Sequence, residues 1–176
     1  DDYYGKVGIT AKAKYKKNEI FIGDLVPQLP TIFSSPARLF PQTYRGVKLS
    51  STAIDHLQLE GFYVDQVRQR DSIHYTDVGI DNINHRFAQA ATTDHFYIFG
   101  GAYQLNDASR LRIYHAELED IFQQQFVGFN TKQPIGDQYN FLSDIRFFNS
   151  KEAGSHKIGN VDNQHLSGVF GLNYQG

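Results

Sequence analysis

Residues 3–16 read YYGKVGITAKAKYK, and their polarity alternates with a period of two. The odd positions carry Y, G, V, I, A, A and Y, whereas the even positions carry Y, K, G, T, K, K and K. Side chains along a β-strand point alternately to opposite faces, so this pattern predicts a strand with an apolar face and a lysine-rich face. A helix would mix the two sets of residues. The small apolar residues favour a surface in contact with lipid over a densely packed core.

The same alternation recurs along the rest of the chain, which predicts an all-β protein. Regular alternation covers residues 57–63, 110–114, 139–147 and 166–174, and less regular alternation covers residues 19–26, 41–51, 95–105 and 124–133. Together with the first stretch, these segments give about nine strands, each near the length that an oblique membrane crossing needs.

The connections between these segments alternate in length. Short turns are expected near residues 17–18, 51–55, 106–108 and 134–137, and long polar stretches at 27–40, 68–94, 117–123 and 149–164. Tight turns at one end and long loops at the other are typical of a transmembrane antiparallel β-barrel in an outer membrane. An open sheet cannot leave its edges unpaired in lipid, and bacterial barrels have an even number of strands. Nine strands, in a sequence of 176 residues without methionine, therefore indicate part of a larger barrel.

Composition excludes several other classes of protein. The net charge of −2 argues against a nucleic-acid binder, and the absence of cysteine excludes disulfides and cysteine zinc sites. The seven histidines show no metal-ligand spacing, and no serine lies in a GxSxG motif. We therefore expect no enzyme, no metal site and no cofactor.

Two motifs resemble the OprD family of outer-membrane porins. The first is PARLFPQTYRG at residues 36–46 and the second is YHAELEDIF at residues 114–122, with FGGAY at 99–103 and the Asn106-Asp107 turn between them. Their order and spacing match the family over nearly the whole chain. The resemblance implies a monomeric, 18-stranded outer-membrane channel, with residues 1–176 forming about half of one barrel domain. It also implies passive uptake of small carboxylate-bearing solutes such as amino acids and aromatic acids.

The resemblance further implies that residues 26–40 form an inward-folded loop that narrows the pore. Three prolines would stiffen this segment, and its apolar side chains would be buried against the inner wall. Ser34, Ser35 and Arg38 are the candidates for the constriction, because a guanidinium binds a carboxylate through two hydrogen bonds. A structural salt bridge that fixes the loop is the alternative role for Arg38.

Five basic residues on the polar faces of the predicted strands are candidates for a positive track along the pore: Lys12, Lys14, Lys48, Arg112 and Arg146. Such a track would attract small anionic or zwitterionic solutes, and several weak sites would suit conduction better than one tight site. Glu60 and Asp144, on the same faces, are expected to pair with nearby arginines, and the alternative is that they form an opposing wall for zwitterionic solutes. The alternative interpretation is the solvated face of an ordinary sheet, in a soluble β-rich binding or adhesion module.

Overall fold

The computed structural model describes residues 7–32, 42–69, 72–80, 85 and 87–174. Within these residues, no helix has the length and apolar character that a membrane-crossing helix requires. The described residues form eleven strands: β1 (Thr10–Tyr15), β2 (Asn18–Leu25), β3 (Thr43–Ser51), β4 (Leu57–Arg68), β5 (Thr76–Ile80), β6 (Ala91–Thr93), β7 (Phe96–Asn106), β8 (Ser109–Leu118), β9 (Phe122–Ile135), β10 (Tyr139–Glu152) and β11 (Asp162–Tyr174).

Nine of the strands form a continuous antiparallel meander in the order β1-β2-β3-β4-β7-β8-β9-β10-β11. The expected all-β fold with about nine strands is therefore confirmed. The two further strands, β5 and β6, are short and lie within residues 68–94, which the sequence pattern had assigned to a loop. β5 pairs with the end of β4, and β6 pairs with β5.

The connections divide the sheet into a turn end and a loop end. At the turn end, residues 16–17, 52–56, 107–108 and 136–138 join the strands. At the loop end, residues 26–42, 69–95 and 153–161 form longer connections, as expected. The prediction of a long polar stretch at 117–123 is wrong, because residues 119–121 form a tight turn. The Ile121 N–H donates to the Leu118 carbonyl, and Asp120 adopts a left-handed φ of 62°.

The two faces of the sheet differ in what they expose. The antiparallel pairing keeps every second residue of a strand on the same face, except at the register shifts at Arg45/Gly46 and Gln104/Asn106. One face, which we call the outer face, exposes large apolar side chains such as Leu59, Ile113 and Phe170. The opposite face, which we call the inner face, carries charged side chains such as those of Lys12, Lys48 and Arg112.

A buried apolar cluster covers the inner face at the loop end. It combines strand residues such as Val64, Ile98 and Phe126 with Ile121 and Ile158 from the connections. Leu29 also belongs to this cluster, and Pro27 beside it is fully buried. Pro27, Leu29 and Ile32 therefore pack against the inner face, where burial of apolar surface stabilises them. The charged part of the inner face begins where this cluster ends.

Candidate functional site on the inner face

The strand pairing places all five predicted track residues on the inner face. Lys12 lies opposite Phe21, which in turn lies opposite Lys48. Arg112 and Arg146 lie on either side of Gly128, in one row across β8, β9 and β10. Since none of the five is on the outer face, these side chains can line a common surface.

A lysine cluster forms on the first strands of the meander. The Nζ atoms of Lys12 and Lys14 each lie 3.2 Å from Oε1 of Glu19 on the neighbouring strand. Lys48 contacts a second carboxylate, because its Nζ lies 3.5 Å from Oε1 of Glu60. We use the name lysine cluster for these five residues.

Aromatic rings surround Lys48 and Glu60 within the lysine cluster. The Lys48 ammonium lies 5.5 Å from the ring centre of Phe21 and 5.2 Å from that of Phe62, both in the range of cation–π contacts. The Tyr114 hydroxyl donates a hydrogen bond of 3.0 Å to Glu60. Lys48 and Glu60 are thus held by several neighbours, whereas the Lys12 and Lys14 side chains are half exposed or more.

An arginine cluster forms on the later strands, centred on Asp144. Arg146 donates from Nε to Oδ1 of Asp144 at 3.0 Å and from Nη2 to Oδ2 at 2.5 Å. Arg112 reaches the same carboxylate from β8, with Nη2 3.4 Å from Oδ1. The two guanidiniums therefore share a single carboxylate. Arg146 makes two short hydrogen bonds with it, whereas Arg112 makes one long hydrogen bond.

A glycine gives Arg112 the room to cross β9. A Cβ atom at Gly128 would lie 2.5 Å from Cζ of Phe126 and 3.2 Å from Nη2 of Arg112. The Phe126 ring supports the guanidinium, with its centre 5.5 Å away. Any other residue at position 128 would push the ring or the guanidinium out of place, so Gly128 positions the arginine cluster.

The two clusters leave the inner face with an excess of positive charge. Five cations face three carboxylates (Glu19, Glu60 and Asp144). The expected pairing of Glu60 and Asp144 with cations is present, although the partner of Glu60 is a lysine. Glu19, Phe126 and Gly128 were missed from the sequence. Glu19 could have been found, because Lys14 and Glu19 are equidistant from the turn at residues 16–17.

Ser34, Ser35 and Arg38 lie outside the residues that the structure describes. The acidic residues near the β8–β9 turn serve local contacts: Asp120 contacts Lys157 and accepts a hydrogen bond from the Ser155 N–H. This backbone N–H, with Lys157 beside it, lowers the pKa of the Asp120 carboxyl below its ordinary value. Among the described residues, no group of histidines and carboxylates could hold a metal ion.

Known proteins match this chain over its whole given length. The family described as "outer membrane porin, OprD family" matches residues 1–176. The porin-like protein GalP of Pseudomonas putida is 29% identical over 171 residues, which cover 96% of this chain and 40% of GalP. The chain thus spans less than half the length of this relative.

Solved structures share the fold closely. OccAB3 of Acinetobacter baumannii is 75% identical, with a TM-score of 0.94 over 99% of this chain and 43% of its own. OpdK of Pseudomonas aeruginosa, solved with vanillate, is 28% identical with a TM-score of 0.88 over 98% of this chain and 44% of its own. OccK2 of the same species, in complex with glucuronate, is 31% identical with a TM-score of 0.86 over 96% of this chain and 44% of its own.

Proposed function

This chain belongs to the OprD family of outer-membrane porins, and from that premise we propose that its inner face lines a channel for small carboxylate-bearing solutes. Porins are channels rather than enzymes, and they reside in the bacterial outer membrane. Family membership therefore removes the alternative of a soluble binding or adhesion module. We propose passive uptake of anionic or zwitterionic solutes through a monomeric channel, without a cofactor.

One observation carries the proposal: the two clusters place five cations and three carboxylates on one face of a sheet whose other face exposes large apolar side chains. Positive charge on a water-filled pore wall attracts anions and raises their local concentration. The OpdK and OccK2 structures contain vanillate and glucuronate, which are both carboxylates. These two ligands support a carboxylate as the solute group that the channel recognises.

The residues exposed on the outer face support the proposal that this face contacts outer-membrane lipid. Tyr15, Tyr103, Tyr139 and Tyr174 are exposed on this face, all near the turn end of the sheet. Such a row corresponds to the aromatic girdle that outer-membrane barrels place at the lipid headgroups. We therefore propose that the turn end marks the periplasmic boundary of the membrane.

We further propose that residues 26–40 narrow the pore, with Ser34, Ser35 and Arg38 at the constriction. The packing of Pro27 and Leu29 on the inner face supports an inward path for the start of this segment. In the whole porin, Arg38→Ala should change the conductance and reduce the preference for anions. Unchanged conductance and selectivity would remove Arg38 from the constriction.

Ion selectivity of the whole porin tests the proposed function directly. We expect Arg112→Gln combined with Arg146→Gln to lower the anion-to-cation permeability ratio several-fold, because one unit charge about 4 Å from an ion contributes about 1 kcal/mol even in water. The measurement is the reversal potential across a planar bilayer in a KCl gradient. Lys16→Gln combined with Lys17→Gln, at the turn, removes the same charge and is the matched control, which should preserve selectivity. Equal ratios in the double variant and the wild type would contradict the proposal.

A further inference from the structure

Every cation of the two clusters contacts a carboxylate of the same wall. Lys12 and Lys14 share Glu19, Lys48 contacts Glu60, and Arg112 and Arg146 share Asp144. A wall that only attracted anions would need no such partners. The carboxylates reduce the net charge of the wall, and they also occupy the groups that a solute carboxylate would use.

The arginine cluster shows this competition most clearly. Arg146 makes two hydrogen bonds with Asp144, whereas Arg112 makes a contact of 3.4 Å with the same carboxylate. The Arg112 guanidinium nevertheless packs over the Phe126 ring, in space that the missing side chain of Gly128 leaves free. It is therefore a preorganised guanidinium whose contact with Asp144 is the easier one to exchange.

Competition between identical groups keeps binding weak. A solute carboxylate that binds Arg112 displaces the Asp144 carboxylate, which makes the same kind of contact. The net binding free energy is therefore only the difference between the Arg112–solute and Arg112–Asp144 interactions. With no wall carboxylate present, the guanidinium would offer its full charge-assisted hydrogen bonds to the solute. Tight binding of that kind would slow the release of the solute, and conduction requires sites that the solute can leave.

We infer that Asp144 competes with solute carboxylates for Arg112 and so shortens their stay in the pore. Glu19 has the same role toward Lys12 and Lys14. This inference rests on the proposed function, since it concerns how the same wall releases its solutes. It assigns to the wall carboxylates a role in transport rate that is separate from the overall charge of the pore.

The test compares two variants that change the net charge of the wall equally. Asp144→Asn removes the competitor and makes the wall one unit more positive. Asn173→Lys also adds one positive unit to the inner face, at the turn end, where Asn173 lies opposite Asn140. Benzoate is the probe, and its dwell time is read from interruptions of single-channel current through the whole porin in a planar bilayer.

We expect Asp144→Asn to lengthen the dwell time of benzoate roughly fivefold, the effect of about one unit charge at contact distance in water. Asn173→Lys should raise anion selectivity but change the dwell time little. Equal dwell times in the two variants would overturn the inference, because net charge alone would then explain the result.

A second variant keeps the test decisive if Asp144→Asn forms no channels. Glu19→Gln removes the competitor of Lys12 and Lys14 and should also lengthen benzoate dwell times, whereas an unchanged dwell time would overturn the inference. A wild-type channel without anion preference would contradict the proposed function itself. Anion preference with equal dwell times in the matched variants would contradict only the role of the wall carboxylates.

Discussion

The outer and inner faces of the same strands obey opposite rules. On β8, Ile113 is exposed on the outer face, while its neighbour Arg112 lies on the inner face beside a carboxylate. On β10, Ile145 and Arg146 repeat this relation. In a soluble protein, each face of a sheet either contacts water and is polar, or packs against other elements and is apolar and buried. The contrast seen here is the one expected of a barrel wall with lipid on one face and water on the other, as proposed above.

The largest expected effect contrasts two phenylalanines on opposite faces. Phe126 is fully buried in the inner cluster, whereas Phe99 on the outer face is 56% exposed. Phe126→Ala should lower the free energy of unfolding by about 3–5 kcal/mol, since it leaves a cavity. Phe99→Ala should cost about 1.5–3 kcal/mol, because lipid chains refill the space and only the transfer of the ring is lost.

Denaturant titration of the porin refolded in lipid vesicles measures both changes. An equal cost for the two substitutions would contradict the distinction between a packed interior and a lipid-filled exterior. A larger cost at Phe99 would reverse the assignment of the two faces.

The next effect comes from placing a charge on either face. Ile113→Arg puts a cation into lipid and should destabilise the protein by about 2–4 kcal/mol if the residue lies near the middle of the bilayer. Leu142→Arg is the matched control, because Leu142 is an exposed apolar residue of the inner face, opposite Lys132. It should cost less than about 1 kcal/mol, because an exposed charge stays hydrated. The same titrations give both values, and comparable costs would argue against lipid on the outer face.

The smallest effect concerns the loop end, where pH should loosen a contact between two connections. The Asp120 carboxyl has a lowered pKa because the Ser155 N–H donates to it and Lys157 lies nearby. A carboxyl whose pKa falls on folding contributes stability above its ordinary pKa, and this contribution disappears as the pH falls through the lowered value. Backbone hydrogen exchange of residues 153–161 should therefore be less protected at pH 3 than at pH 6, relative to the β9–β10 pairing.

Asp120→Asn supplies the control for this pH effect. The variant should show weaker protection of residues 153–161 already at pH 6 and a smaller further loss at pH 3 than the wild type, the remainder coming from Glu152, which accepts a hydrogen bond from the Val161 N–H. The same pH dependence in variant and wild type would assign the effect to another group.

The sequence predicted the strands and their faces because one property, alternating polarity, sets both. It placed the five basic track residues on the polar face and indicated that Asp144 would be paired. It did not predict the contact between Arg112 and Asp144. That contact joins residues 32 positions apart in the sequence, and it depends on the register of three strands and on the missing side chain at Gly128.

The polar residues around the β8–β9 turn misled the prediction for a different reason. Glu117 belongs to β8, where it accepts a hydrogen bond of 2.5 Å from the Tyr97 hydroxyl on β7. Charged residues are common in exposed loops, and their cross-strand partners become known only with the register. Tertiary contacts therefore turned an apparent loop of seven residues into a tight turn.

Chemical access from water tests the central claim most directly. This chain contains no cysteine, so single cysteines can be placed on neighbouring residues of one strand in a cysteine-free whole porin. In lipid vesicles, a charged, water-soluble thiol reagent should modify Lys14→Cys, Arg112→Cys and Arg146→Cys rapidly. It should modify Ala13→Cys, Ile113→Cys and Ile145→Cys at least about tenfold more slowly, because a thiolate does not form readily in lipid. Fast modification of the second set and slow modification of the first would contradict a channel lined by the inner face.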